Sequence, residues 1–110
     1  MLDTANGVPA EGVAIELVEL SSEGARPVAS ARTNGSGRTD APLIGERPIP
    51  VGAYELRFDL GGYFRGQGAA LPAPAFLDVV PIRFGVAEPE GHYHVPLAAS
   101  PWSYSTYRGS

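Results

Sequence analysis

Apolar and polar residues alternate along much of this chain, with the period of two that is typical of β-strands. The alternation is cleanest over residues 51–60, where aromatic and aliphatic side chains fall on one face and charged side chains on the other. Successive side chains of a strand point to opposite faces of its sheet. The pattern therefore predicts an antiparallel strand with one face in the core and the other in solvent.

Less regular versions of this pattern predict further strands. They cover residues 13–20, 27–33, 76–86, 92–98 and 103–108. In the first of them the alternation slips at Leu17-Val18, which indicates a β-bulge or partial burial of both faces. Proline cannot donate a ladder hydrogen bond, so Pro81 indicates that the strand over residues 76–86 lies at a sheet edge or contains a bulge.

Turn signals and glycines separate the predicted strands. Asn6-Gly7 predicts a turn, and residues 33–49 form a glycine-containing, mostly irregular segment. Residues 61–68 can form a short helical turn around Tyr63-Phe64, although their glycines limit its length. The count of about six to eight short strands predicts an all-β, two-sheet β-sandwich with one short helix. Residues 1–110 are long enough for a single domain with one core.

Composition narrows the class of protein. The net charge of −4 and the isoelectric point near 5.0 argue against a nucleic-acid binder. The absence of cysteine excludes thiol nucleophiles, disulfides and thiolate metal sites. No apolar segment reaches the length of a membrane span, and residues 1–20 lack the pattern of a signal peptide. We therefore expect a cytoplasmic protein that binds neither nucleic acid nor membrane.

Both histidines of the chain lie in the predicted strand over residues 92–98. Alternation puts Tyr93 on the core face of this strand and both His92 and His94 on the opposite face. Two imidazoles at this spacing can chelate zinc, but such a site needs a third or fourth protein ligand. An acid–base role for one of them needs no such partner, because histidine titrates near neutral pH. Two surface histidines without a function remain a third interpretation.

Other candidate residues have weaker support from the residues alone. Arg38 and Arg47 are either solvated loop arginines or bidentate donors to an anionic or imide-like ligand. The glycines around them lack the spacing of a phosphate-binding loop. Nothing resembling a nucleophile elbow surrounds Ser110, so the sequence gives little support for a free serine nucleophile.

Four stretches of the chain resemble one known family, the 5-hydroxyisourate hydrolases, which are transthyretin-like enzymes of urate degradation. They read L-D-T-A-N-G-V-P-A at residues 2–10, R-T-N-G-S-G-R at 32–38, H-Y-H-V-P-L at 92–97 and S-P-W-S-Y-S-T-Y-R-G-S at 100–110. The terminal Y-R-G-S is the most specific of these motifs, because it separates the hydrolases from the hormone-carrying transthyretins.

The resemblance implies a fold, an assembly and a reaction. The fold is a prealbumin-like sandwich of eight strands, assembled as a homotetramer (a dimer of dimers) with its sites at the dimer–dimer interface. The substrate is 5-hydroxyisourate, whose cyclic amide is opened by water to give 2-oxo-4-hydroxy-4-carboxy-5-ureidoimidazoline. The family uses no metal and no organic cofactor. A carrier of the transthyretin type without turnover is the alternative, and a plain β-sandwich interaction module is a third.

The resemblance also implies which residues form the site. The catalytic set is His94, Arg38 and Ser110, and the substrate-binding set is Tyr107, Arg108, Gly109 and His92. The chain departs from the family in having Ser36 where the family has Asp, which is expected to loosen the Arg38 loop. The family's first catalytic histidine immediately precedes the stretch aligned with residues 1–4, so we expect a histidine directly before Met1 in the natural protein. Pro96 is expected to cause a local bulge in its strand.

Overall fold

The computed structural model describes residues 1–43, 49–91 and 93–109. In this part of the chain eight strands form two sheets, and one helix joins the fifth strand to the sixth. In chain order the elements are β1 (Leu2–Asp3), β2 (Val8–Pro9), β3 (Ala14–Ser21), β4 (Gly24–Arg32), β5 (Gly52–Asp59), α1 (Leu60–Gly66), β6 (Val79–Val86), β7 (Leu97–Ala99) and β8 (Tyr104–Thr106).

The two sheets have four strands each and enclose the core between them. The first sheet has the order β2-β1-β7-β8, and its β1–β7 pairing is parallel. The second sheet has the order β4-β3-β5-β6 and is antiparallel throughout. The predicted two-sheet sandwich with one short helix is therefore confirmed. The described residues contain no helix that is long and apolar enough to cross a membrane.

The irregularity predicted at Leu17-Val18 is a β-bulge. Leu17 pairs with Ala29 and Val18 pairs with Pro27, so Val28 is the extra residue of β4. Leu17 and Val18 are both buried although they point to opposite faces of the sheet. The prediction for Pro81 is also confirmed, because β6 is an edge strand.

The charged face of β5 is less solvated than its alternation predicts. Glu55 is only 7% exposed, and its carboxylate accepts hydrogen bonds from Arg57 at 2.7 Å and Arg83 at 3.4 Å. The hydrogen bond from Arg57 holds the pKa of Glu55 below its ordinary value, against the opposing effect of burial. Two arginine side chains thus cover this carboxylate, which period-two alternation alone does not reveal.

The predicted strand over residues 92–98 is wrong in its length. Strand β7 begins only at Leu97, and residues 93–96 have no regular secondary structure. Pro96 has no N–H to donate to a ladder, so the paired strand begins directly after it. The bulge expected at Pro96 is accordingly absent. Tyr93 and Leu97 are buried as the alternation predicts, while His94 is exposed.

A buried carboxylate anchors β1, a strand of only two residues. Asp3 is fully buried and accepts the Tyr63 hydroxyl at 2.8 Å. It also accepts the backbone N–H of Asn6 at 3.0 Å and the side-chain amide of Asn6 at 2.8 Å. The carboxylate therefore links β1 to helix α1 and to the turn that leads into β2.

These hydrogen bonds determine which form of Asp3 is stable in the fold. Burial by itself raises the pKa of a carboxyl group, but hydrogen bonds from Asn6 and Tyr63 outweigh it and the pKa of Asp3 is lowered. Burial, followed by the bond to the Asp3 carboxylate and its charge, raises the pKa of Tyr63 to about 12. Asp3 is thus ionised and Tyr63 neutral at physiological pH.

We expect Asp3→Asn to lower the free energy of unfolding by roughly 2–3 kcal/mol, because hydrogen bonds to a charged acceptor are lost. The pKa of Asp3 in the fold lies below its ordinary 3.8. The stabilisation by the carboxylate is therefore present above about pH 4 and is lost as the pH falls through the folded-state pKa. Urea unfolding between about pH 3 and pH 7 measures both effects. Glu23→Gln, at an exposed position, is the control; equal stability of wild type and Asp3→Asn at neutral pH would contradict the prediction.

Candidate active site

The topology of the first sheet brings three parts of the chain to one end of it. Strands β1 and β7 run parallel with Leu2 opposite Ala98, so their N-terminal ends lie at the same end of the sheet. Strand β8 is antiparallel to β7 with Thr106 opposite Leu97, so its C-terminal end lies there too. Met1, His94 and the residues after Thr106 therefore share one end of the sandwich.

The C-terminal segment of residues 106–109, called the tail below, is tied to the residues before β7. The Gly109 N–H donates to the carbonyl oxygen of His94 at 2.8 Å. The Thr106 hydroxyl donates to the carbonyl oxygen of Pro96 at 2.6 Å. Gly109 also packs against the imidazole of His94, and a Cβ at this position would overlap its Nδ1. The tail thus limits the position of the His94 ring.

Arg108, also in the tail, contacts Tyr93, the residue before His94. Its guanidinium carbon lies over the ring of Tyr93, 4.7 Å from the ring centroid. Tyr93 is buried, whereas Tyr107 is 70% exposed. Two consecutive residues of the tail therefore contact two consecutive residues before β7: Arg108 contacts Tyr93, and Gly109 contacts His94.

A cleft of about 260 Å³ lies between the tail, residues 93–95 and the edge strand β6. His94, Tyr107 and Arg108 line it, as does Arg83 from β6. The cleft therefore combines an imidazole, which can accept or donate a proton, with guanidinium groups that favour anionic or carbonyl oxygens. Such a set suits the addition of water to a polarised carbonyl group.

Arg38 lies at the same end of the sheet but not in the lining of this cleft. Its loop packs against Met1, whose amine donates to the carbonyl of Gly37, the residue before Arg38. Burial, and then the charge of Arg38, lower the pKa of the Met1 amine. Gly37 has a φ of 76° and no room for a Cβ beside the Met1 carbonyl, so a glycine fits this approach.

Asn34 closes the Arg38 loop. Its side-chain oxygen accepts the N–H of Ser36 at 2.9 Å, the hydroxyl of Ser36 at 2.7 Å and the N–H of Arg38 at 3.2 Å. The backbone N–H of Asn34 in turn donates to the Arg38 carbonyl at 2.7 Å. Ser36 is therefore bonded within the turn through the side chain of Asn34.

Some predicted site residues lie outside the described part of the chain, namely His92, Ser110 and Arg47. In residues 1–43, 49–91 and 93–109 no group of three or more potential metal ligands comes together. Tyr93, Arg83 and Thr106 contact or line the site although the sequence did not identify them. Alternation gave Tyr93 a place in the core, but no local signal indicates its contact with the tail.

The fold and the site define the class of protein. The HIUase/Transthyretin family model matches residues 1–109, and the chain belongs to this family, as its motifs indicated. A 5-hydroxyisourate hydrolase of Ralstonia nicotianae is 53% identical over 110 residues, which are 100% of this chain and 94% of the relative. A relative in Deinococcus radiodurans with the same name is 54% identical, and 5-hydroxyisourate hydrolase 2 of Rhizobium meliloti is 50% identical, each over all 110 residues of this chain and 92% of the relative. The protein is thus an enzyme, a hydrolase of this family.

Solved structures of other proteins have the same two-sheet sandwich. The crystal structure of (S)-allantoin synthase matches with a TM-score of 0.89 and 48% identity. The match covers 99% of this chain but only 41% of that protein, so it concerns one part of it. Transthyretin from Sparus aurata matches with a TM-score of 0.83 and 32% identity, over 98% of this chain and 90% of that one. The fold alone therefore does not distinguish a hydrolase of this family from a transthyretin.

We expect Gly109→Ala to displace the His94 ring, because the added methyl group would overlap the imidazole. The nuclear magnetic resonance of the His94 ring protons should shift, while the free energy of unfolding changes by about 1 kcal/mol or less, since the ring is exposed and can move. Gly66→Ala is the matched control, because nothing lies within 4 Å of a Cβ there. Unchanged His94 resonances in Gly109→Ala would show that the tail does not constrain the ring.

Proposed function

We propose that this enzyme hydrolyses 5-hydroxyisourate to 2-oxo-4-hydroxy-4-carboxy-5-ureidoimidazoline, a step of urate degradation. The observation that carries the proposal is the exposed imidazole of His94, held by the tail in a cleft that Tyr107 and Arg108 also line. Relatives that are 50–54% identical over all 110 residues of this chain are named for this activity.

The proposed mechanism assigns each step to a side chain. His94 takes a proton from water, and the resulting hydroxide adds to the carbonyl carbon of the cyclic amide. Guanidinium groups stabilise the negative charge that develops on the carbonyl oxygen. The ring C–N bond then breaks, the nitrogen receives the proton that His94 took from water, and the carbonyl carbon becomes a carboxylic acid, which releases its own proton to solvent. No metal or organic cofactor is invoked, and Arg38 and Ser110 are proposed to complete the catalytic set.

We further propose a homotetramer, a dimer of dimers with the sites at the dimer–dimer interface. The support is the outer face of the first sheet, where Leu2, Ala98 and Ser105 are paired in one row across three strands. The side chains of this row are small or apolar, and Leu2 is 46% exposed. A second dimer packed on this face would cover it.

The sequence left a carrier of the transthyretin type without turnover as the alternative, and a transthyretin does have the same sandwich. A carrier needs a channel but no proton acceptor beside the substrate. The position of His94 in the cleft therefore favours the enzyme.

We expect His94→Asn to lower kcat by roughly 10²–10⁴-fold, the usual loss when an acid–base group is removed. The decay of freshly made 5-hydroxyisourate, followed in the ultraviolet, measures this rate. His92→Asn is the comparison variant and should lose less. A chelator should leave the wild-type rate unchanged, and a loss that zinc restores would contradict the mechanism. Wild-type protein without any effect on the decay would refute the proposed function.

The assembly can be tested at Ala98, in the middle of the apolar row. We expect wild type to sediment as a tetramer of 11.5 kDa chains and Ala98→Glu as smaller species, because the glutamate would bury a charge at the interface. Ser30→Glu, exposed on β4 of the other sheet, should remain tetrameric. A monomeric wild type, or a tetramer that Ala98→Glu leaves intact, would be incompatible with the proposed interface.

A further inference from the structure

Tyr93 connects the core of the sandwich to the tail, a role that the mechanism above does not use. We propose that Tyr93 is a positioning residue, whose ring fixes the guanidinium of Arg108 at the cleft that His94 lines. Arg108, held in this way, recognises the planar, electron-rich carbonyl groups of the substrate. The proposal rests on the proposed hydrolysis for the identity of that substrate, but the contact itself does not depend on it.

The ring of Tyr93 is firmly held in the core. Its hydroxyl oxygen accepts the backbone N–H groups of Ala87 and Glu88, both at 3.1 Å, and its O–H group lies 3.4 Å from the Glu88 carbonyl. The ring packs beside Phe84 of β6, with 6.5 Å between the centroids. Only 9% of Tyr93 is exposed. Both ends of the side chain are therefore fixed, and the ring is a rigid surface.

Arg108 lies on this surface in a geometry that is favourable for a cation. A guanidinium within about 6 Å of a tyrosine centroid is attracted by the ring, and the distance here is 4.7 Å. Ordering the long side chain of an arginine on binding costs free energy. A ring that orders the guanidinium beforehand removes part of this cost, so it should act on substrate affinity more than on the chemical step.

Two hydrogen bonds near Arg108 hold the tail itself. The Gly109 N–H is bonded to His94, the residue after Tyr93, and Thr106 is bonded to Pro96. These bonds fix the backbone on both sides of Arg108, but neither bond determines where its guanidinium lies. The tyrosine ring contacts the guanidinium itself, whereas these two hydrogen bonds act on the tail as a whole.

The experiment compares Tyr93→Leu, which removes the ring face, with Tyr93→Phe, which keeps it and removes only the hydroxyl anchor. Tyr93→Leu should raise KM about 3- to 30-fold, the range expected for a cation–ring contact, and change kcat about 3-fold or less. Tyr93→Phe should be less stable than wild type, with KM within about 2-fold of it. Tyr54→Phe, a buried tyrosine outside the cleft, controls for the loss of a core hydroxyl and should leave KM unchanged.

A double-mutant cycle with Arg108→Gln isolates the pair. Arg108→Gln alone should raise KM by at least as much as Tyr93→Leu, and adding Tyr93→Leu to it should raise KM no further. The proposal is wrong if Tyr93→Leu raises KM by the same factor in both backgrounds, or if Tyr93→Phe loses as much affinity as Tyr93→Leu.

A readout without substrate separates this proposal from the proposed function. Protons of Arg108 above the ring should resonate upfield of ordinary arginine protons in wild type and in Tyr93→Phe, and should lose that shift in Tyr93→Leu. Ordinary Arg108 resonances in wild type overturn the proposal, even if 5-hydroxyisourate is hydrolysed. An upfield shift in a protein that does not hydrolyse it supports the contact and refutes only the substrate. If Tyr93→Leu does not fold, the wild-type and Tyr93→Phe spectra still decide the question.

Discussion

The burial of Asp3 is the constraint on which the site end of the sandwich depends. A strand as short as β1 has too few ladder bonds to be stable by itself, yet it pairs with both β2 and β7. The Asp3 carboxylate supplies the missing fixation through Tyr63 and Asn6. Because β1 is fixed, Met1 lies against the Arg38 loop, and the parallel pairing with β7 sets Met1 beside the residues that lead to His94.

A second constraint acts at the other end of the chain. Residues 93–96 form no paired strand, so the position of His94 depends on contacts outside a ladder. The tail provides them through the backbone of Gly109 and the side chain of Thr106. Chain termini are usually frayed unless something ties them down. Here residues 106–109 and the segment that carries His94 hold each other in place.

Local sequence patterns predicted the parts of this fold that local physics determines. The alternation over residues 51–60, the slip at Leu17-Val18 and the edge position of Pro81 each follow from side-chain direction or a missing N–H. The patterns did not assign β1, which is too short to show a period, or the end of the paired strand at Leu97. They also did not indicate the burial of Glu55, which Arg83 of the neighbouring strand helps to cover, or the contact between Tyr93 and Arg108, because each involves a residue distant in the sequence.

Function in this family is decided by a few residues placed on a common sandwich. A transthyretin and a part of (S)-allantoin synthase both superpose on nearly all of this chain, so the two sheets do not determine the chemistry. The groups to which we assign the reaction lie at one end of one sheet, where an imidazole and guanidinium groups lie in or beside the same cleft. Arg38 reaches that end without lining the cleft, and the sites are proposed to lie at the interface between dimers. The same surface would then serve both assembly and catalysis, and substitutions at the interface would affect the rate as well as the oligomeric state.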